Sequence, residues 1–202
     1  DEVAARFAAT IARHGPESVA FYLSGQLSIE DYYVANKLMK GWLGTANIDT
    51  NSRLCMASAV AGHRRAFGED VVPGVYADLE EADLVVLVGS NLAWCHPVLS
   101  QRLQAARERQ GTRVVVIDPR ATATSAEADL HLAIAPGSDV ALFNGLLRYL
   151  SEFECLDRDY LRAHTTGFAD ALAVAREHDL PRVAAQTGLA PAELRRFYDW
   201  FA

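Results

Sequence analysis

The sequence is poor in cysteine and has no paired cysteine motif. Its three cysteines, Cys55, Cys95 and Cys155, are odd in number and far apart, with no C-x-x-C. That excludes a disulfide framework and a zinc ribbon, and isolated cysteines fit a reducing, cytoplasmic compartment. No apolar run approaches ~20 residues, which excludes a helical membrane span. Positive charge is also short. Lys and Arg number 19 against 26 Asp and Glu, for a formal net charge of −7. A chain with no basic field is not a nucleic-acid binder, so an anionic ligand would have to be held locally, by backbone N–H groups and a few arginines. No signal peptide is visible in these residues, and there is no internal repeat and no low-complexity tract. The G-x-G-x-x-G fingerprint of a standard NAD site is missing as well. The sequence opens at Asp1 inside an amphipathic stretch and closes inside another over residues 194–202. The expectation is an internal fragment of a longer polypeptide.

What is present is a well-apolar chain: 50% of its 202 residues are hydrophobic and 22% charged, enough to bury a core. Residues 3–12 carry apolar side chains at helical spacing. SVAFYL at 18–23 reads as a buried strand ending at a Ser24-Gly25-Gln26 turn. Ser28 is a candidate N-cap with Asp31 as its capping-box partner, opening a helix to about Trp42. Residues 44–54 read as a polar loop, and a helix starts at or just after Cys55 and runs to about Phe67. A short helix follows over 76–82. DLVVLV at 83–88 is the clearest strand and ends at Gly89-Ser90-Asn91. Pro97 takes the first position of a helix stopped by Gly111. RVVVI at 113–117 is a strand ending at Asp118-Pro119-Arg120, and 130–135 is a weaker one. A turn at 136–139 opens a helix over 140–150; the rest reads as all-helical, with breaks near Gly167, Pro181 and Pro191.

Strands alternating with helices predict an α/β fold: a Rossmann-like parallel sheet with helices on both faces, plus a helical C-terminal stretch. Domain limits are expected at 1–150 for the α/β domain and 151–202 for a helical extension of it, or a lead into the next domain. Right-handed crossovers place the C-terminal ends of the strands on one edge, where open α/β sheets bind ligands. Four polar segments fall there: 24–26, 89–91, 118–120 and 137–139.

Each segment has a plain structural reading beside a functional one. Gly89-Ser90-Asn91 lets backbone approach a phosphate, but is equally an ordinary strand–helix turn. Asp118 could accept from a ribose or a purine and Arg120 could meet a phosphate bidentately; the alternative is a turn capped by Thr122 or Thr124. Gly137, Ser138 and Asp139 carry an N-cap signature, with Ser138 or Asp139 as the cap. Cys55 sits where a polar loop meets a helix start, with Arg53 nearby, a setting that favours the thiolate, the form that binds soft metals. Its alternative is a buried, inert cysteine, and Cys95 and Cys155 read that way outright. His63, Arg64 and Arg65 form a basic cluster that is either a solvated face or a help in holding an anion.

Taken in order, SGQ at 24–26, NIDTNSRLCMASAVAGHRRAFGED at 47–70, DLVVLVGSNLAWCHPVLSQRL at 83–103, VVVIDPRATATSAEADLHL at 114–132 and APGSDVAL at 135–142 resemble the bis-molybdopterin guanine dinucleotide oxidoreductases, the dimethyl sulfoxide reductase superfamily. Each motif alone is weak; the ordered set, over residues 18–150, is specific. Within the superfamily, residues 31–63 look most like assimilatory nitrate reductases. The resemblance implies that Cys55 is the protein thiolate on molybdenum, with Gln26 and Asn51 beside the pterin or metal. It places Gly89, Ser90 and Asn91 on the diphosphate, and Asp118, Arg120 and Thr122 around the nucleotide. Gly137, Ser138 and Asp139 would meet the guanine, with Asp139 accepting from its N–H groups. It implies oxygen-atom transfer from nitrate, giving nitrite, with electrons arriving from a donor protein or subunit through a [4Fe-4S] cluster in an N-terminal domain absent from this sequence. The sequence alone would then be inactive. A formate dehydrogenase of the same superfamily is the alternative, but its metal-ligating residue is typically followed by His, whereas Met56 follows Cys55 here. A catalytically silent homologue is a further alternative, disfavoured because Cys55 is retained.

Overall fold

In the computed structural model, residues 1–51 and 55–202 are described; Arg53, expected to lend charge to Cys55, lies outside them. The chain divides into two compact units, residues 1–73 and 74–202.

In the first unit, α1 (Glu2–His14) is amphipathic and ends at Gly15, whose φ of 83° suits glycine. Strand β1 (Phe21–Leu23) is shorter than expected and less buried, with Tyr22 70% exposed. The Phe7 ring of α1 packs edge-on against Phe21 of β1 at 6.1 Å. Helix α2 (Ile29–Asn36) opens with the expected capping box: the Ser28 side chain accepts from the Asp31 N–H while Asp31 accepts from the Ser28 N–H. It continues through a π-helical segment, Lys37–Leu43, that buries Met39 completely and ends at left-handed Gly44. The expected polar loop then contains a strand, β2 (Ile48–Thr50), parallel to β1 with Phe21 opposite Ile48 and Leu23 opposite Thr50. Its β-branched Ile48 and Thr50 favour the pleat, a signal hidden by the polar Asn47, Asp49 and Asn51 around them. Helix α3 (Ala57–Phe67) starts just after Cys55, as the sequence predicts.

The second unit begins with α4 (Asp78–Glu81) and β3 (Leu84–Val88). A short helix not foreseen, α5 (Leu92–Cys95), precedes α6 (Pro97–Gln110), which has proline first and left-handed Gly111 last. Then come β4 (Arg113–Ile117), α7 (Ala123–Ala126), β5 (Leu130–Leu132) and α8 (Asp139–Glu152). The chain closes with α9 (Arg158–His164), α10 (Phe168–Ala175), α11 (Leu180–Thr187) and α12 (Pro191–Phe201). The strands form one parallel sheet in the order β3-β4-β5.

Period-two alternation sorts the side chains of this sheet between two cores. Val85, Leu87, Val114 and Val116 pack with Leu92 and with Leu103 of α6. Val115, Ile117, Leu130 and Leu132 pack with Leu142 and Leu146 of α8, Val183 of α11, and Leu194, Phe197 and Tyr198 of α12. Each fully buried aliphatic side chain contributes ~1.5–3 kcal/mol. Residues beyond 151 therefore supply part of the core that covers the sheet. Close approach there depends on Gly145 of α8, where an added Cβ would lie 2.6 Å from both the Tyr198 hydroxyl and a Val183 methyl.

The α/β class, with parallel sheets flanked by helices and a helical C-terminal region, is as predicted. The single sheet is not: the chain forms a two-stranded and a three-stranded sheet among the described residues. The 24–26 turn consequently belongs to a different sheet edge from the other three polar segments.

Candidate functional site

In the first unit, parallel pairing brings the ends of β1 and β2 side by side, and two hydrogen bonds lock the loops beyond them. The Asn51 N–H donates to the Leu23 carbonyl at 3.1 Å, and the Asn51 side-chain oxygen accepts from the Gly25 N–H at 2.8 Å. The Ser24 hydroxyl accepts from the Gln26 N–H at 3.2 Å, and Tyr32 donates to the Ser24 carbonyl at 2.6 Å. Gln26 and Asn51 thus stand together on one edge, with the Gln26 side chain exposed. Cys55 lies in a turn immediately before Met56, which holds the N-cap position of α3. Its thiol is exposed, which removes the buried, inert alternative. Cys95 and Cys155 are exposed too; the expectation of burial fails because α5 and the 153–155 turn lie on the surface. His63, Arg64 and Arg65 sit at the far end of α3, roughly 10 Å along its axis from Met56. His63 faces Asp70 at 3.7 Å.

In the second unit, the ends of β3, β4 and β5 share one edge, and the three polar segments emerge there. Gly89 turns the chain with φ +58°, and an added Cβ would meet nothing within 4 Å, so bare backbone is open to a close-approaching group. The Gly89 N–H donates to the Ile117 carbonyl at 2.8 Å. Asp118 is buried and its Oδ1 accepts from the Arg120 N–H at 2.8 Å, so one carboxylate oxygen is committed to the turn. His131 Nε2 lies 2.8 Å from the Asp118 carbonyl, pinning the same turn from β5. Thr122 is the cap of α7, its hydroxyl accepting from the Ser125 N–H at 3.2 Å. Asn91, Arg120 and Thr122 line a cleft of about 200 Å³ with Trp94, whose indole is 77% exposed.

At the end of β5, Gly137 turns with φ +82°. Ser138 holds the N-cap position of α8 but does not cap it with its side chain. The hydroxyl turns back and donates to the Ala135 carbonyl at 2.6 Å, corroborated by its 8% exposure. Asp139, the first residue of the helix, is half-buried, and its carboxylate accepts from no group among the described residues. A carboxylate there is also favoured by the helix N-terminus.

These donor sets suit the group that the family resemblance implies. A guanidinium without an acid partner among the described residues and an amide line one cleft, with a bare glycine turn two residues before the amide, a set that fits a diphosphate. An open carboxylate fits the N–H edge of a purine, and an exposed thiol fits a soft metal. No group of three or more His, Cys, Asp or Glu that could hold a metal occurs among the described residues. Sequence reasoning missed Trp94, since a lone aromatic on a surface turn has no periodic signal. It also missed what Thr124 does, since nothing local shows that a side chain 33 positions from Asn91 bonds to it.

Comparisons with known proteins agree. The sequence matches the molybdopterin oxidoreductase family over residues 1–154. It is 57% identical to a nitrate reductase of Shewanella frigidimarina over 202 residues, covering 99% of this chain and 22% of that protein. It is 58% identical to a nitrate reductase of Klebsiella oxytoca over 192 residues, covering 95% of this chain and 22% of that one. Among solved structures, acetylene hydratase from Pelobacter acetylenicus superposes with a TM-score of 0.65 at 27% identity, over 98% of this chain and 26% of that one. The chain thus spans about 22% of the length of these two nitrate reductases. Matched over three quarters of its length and closely similar to nitrate reductases, the chain belongs to the molybdopterin oxidoreductase family.

Proposed function

We propose that this chain is the part of a nitrate reductase that holds molybdopterin guanine dinucleotide and supplies the metal-ligating thiolate, Cys55. The observation that carries the reading is the 57% identity to a nitrate reductase across 99% of the chain, joined to a thiol that is exposed at a helix start. When bound, the molybdenum centre supplies two-electron oxygen-atom transfer from nitrate, leaving nitrite. The chain's residues bind and orient. Cys55 would ligate the metal. Gln26 and Asn51 hold the pterin, their loops fixed by the Gly25–Asn51 bond. Gly89, Ser90 and Asn91 with Arg120 hold the diphosphate; Asp118 and Thr122 shape the nucleotide's turn. Gly137 and Ser138 fix the loop from which Asp139 accepts from the guanine N–H groups. Organic chemistry and redox power belong to the cofactor, while the protein contributes placement and electrostatics.

In this reading the cofactor is the bis form, a second pterin and a [4Fe-4S] cluster are housed elsewhere in the whole enzyme, and an electron-donor protein or subunit feeds it. The resemblance of residues 31–63 supports an assimilatory enzyme, and isolated cysteines fit a reducing, cytoplasmic compartment. The test is an assay of the full-length polypeptide with a reduced viologen donor. Nitrite formation from nitrate is expected. A molybdenum-loaded enzyme that ignores nitrate and oxidises formate would overturn the substrate assignment while leaving the cofactor assignment standing.

A further inference from the structure

We propose that Thr124 is a positioning residue: it orients the Asn91 amide so that only N–H donors face the phosphate oxygens of the nucleotide. This rests on the reading of Asn91 as a cofactor contact and goes beyond it by assigning a residue that itself touches no ligand.

Thr124 is buried, 7% exposed, in the second position of α7. Its hydroxyl lies 3.0 Å from the Ala93 nitrogen and 2.9 Å from Asn91 Oδ1. A hydroxyl has a single proton to donate. The Ala93 N–H can only donate, so Thr124 accepts there, and among the described residues the acceptor that its own proton meets is Asn91 Oδ1; with the amide turned over that proton would have no partner. This settles which way the amide faces. Its oxygen is held against α7, and its Nδ2 is left over. Nδ2 donates to nothing among the described residues. Among the described residues no buried side-chain nitrogen or oxygen lacks a partner, so Nδ2 is open, on a residue that lines the same cleft as Arg120 and Thr122.

An asparagine amide is ambivalent, presenting an acceptor on one side and two donors on the other. Turned over, it would set an oxygen against phosphate oxygens. Thr124 removes that ambivalence. The same hydroxyl accepts from the Ala93 N–H, so a plain tie between α5 and α7 is the competing role, and the double variant separates it from positioning.

The experiment follows guanine nucleotide retained by the full-length holoenzyme, measured as GMP released by acid after timed incubation in dilute urea. Four single variants and one double are compared: Thr124→Val, Thr124→Ser, Asn91→Ala, Asn91→Asp, and Thr124→Val with Asn91→Ala. Loss of one hydrogen bond to a charged group predicts roughly tenfold or faster release in Thr124→Val and Asn91→Ala. Thr124→Ser, which keeps the hydroxyl, should stay near the parent. The double variant should release no faster than Asn91→Ala, because Thr124 acts through Asn91. Asn91→Asp, which is isosteric and needs no change at Thr124, should release fastest of the singles, because it offers only oxygens to the phosphate.

Multiplying single effects in the double variant would overturn the positioning role and leave Thr124 a loop tie. Parent-like retention in Thr124→Val, or in Asn91→Asp, would overturn the orientation argument. Parent-like retention in Asn91→Ala would overturn the cofactor reading of Asn91 and the proposal with it. Parent-like retention in Thr124→Val beside loss in Asn91→Ala would sink the proposal alone.

Discussion

Residues 74–202 raise their polar loops from a sheet whose two faces are both packed, and the central strand β4 has Val115 and Val116 at 0% exposure. Residues 1–73 do the same task with little core. Among their described residues only Val19 and Met39 are buried apolar side chains, and an apolar groove of about 700 Å³ runs along α1 beside Phe21 and Leu43. Their ligand-edge loops are held instead by short-range hydrogen bonds, such as Gly25 to Asn51. The residues proposed for the nucleotide are thus built on a well-packed platform. The thiol proposed for the metal sits in a unit with little core of its own. That division makes physical sense if the nucleotide anchors the cofactor and the metal end must adjust during the reaction.

The sharpest break of this comparison is cofactor removal. Amide exchange in the full-length protein should accelerate by roughly 100-fold or more in β1, β2 and α3 of the apoprotein, as expected for local opening. Exchange in β4 should change by less than a few fold. Equal acceleration in both units would refute the difference.

How far the sequence foretold this contrast can be judged element by element. β3 and β4 were legible because LVVLV and RVVVI are continuous apolar runs, the mark of a strand buried on both faces. Helix α6 was legible to the residue through Pro97 and Gly111, and α2 through Ser28 and Asp31. β2 was not, because a three-residue strand with Asp49 at its middle and Asn47 and Asn51 beside it is too short to read as alternation. The edge residues were legible only as an ordered set, since glycine, serine and aspartate after a strand are as often a cap or turn. Ser138 shows the limit: the cap its sequence promises is replaced by a bond to Ala135, a choice that depends on the 135–138 turn closing on itself.

The next effect tests the platform. In Gly145→Val the new methyl groups would meet Tyr198 and Val183, both buried to 1% exposure or less. Overpacking of this kind costs ~1–3 kcal/mol, more than the ~1 kcal/mol of helix propensity that replacing glycine returns at best. The urea midpoint for loss of β4 protection should fall accordingly, with β1 unaffected. A parent-like midpoint would show that the α8–α12 contact yields easily.

The smallest effect is alkaline. Burial raises the Tyr198 hydroxyl above its ordinary value near 10, and that hydroxyl donates to the Leu142 carbonyl at 2.8 Å. A raised value in the folded state means that the neutral form is favoured by folding. Its contribution is present below pH 10 and is lost as pH climbs from there toward the folded value. Tyr198→Phe should cost ~1 kcal/mol at pH 8 and flatten the decline of the second unit's stability above pH 10. An unchanged decline would place the alkaline sensitivity elsewhere.

The central claim is that this chain presents Cys55 to molybdenum, and X-ray absorption at the molybdenum edge tests it most directly. The full-length holoenzyme and its Cys55→Ser variant should be compared at equal metal loading. The account predicts one fewer sulfur and one more light atom around the metal in the variant, with nitrite formation lowered on the order of 1,000-fold, beyond the 10–100-fold that outer-shell changes cause. An unchanged sulfur count would contradict it.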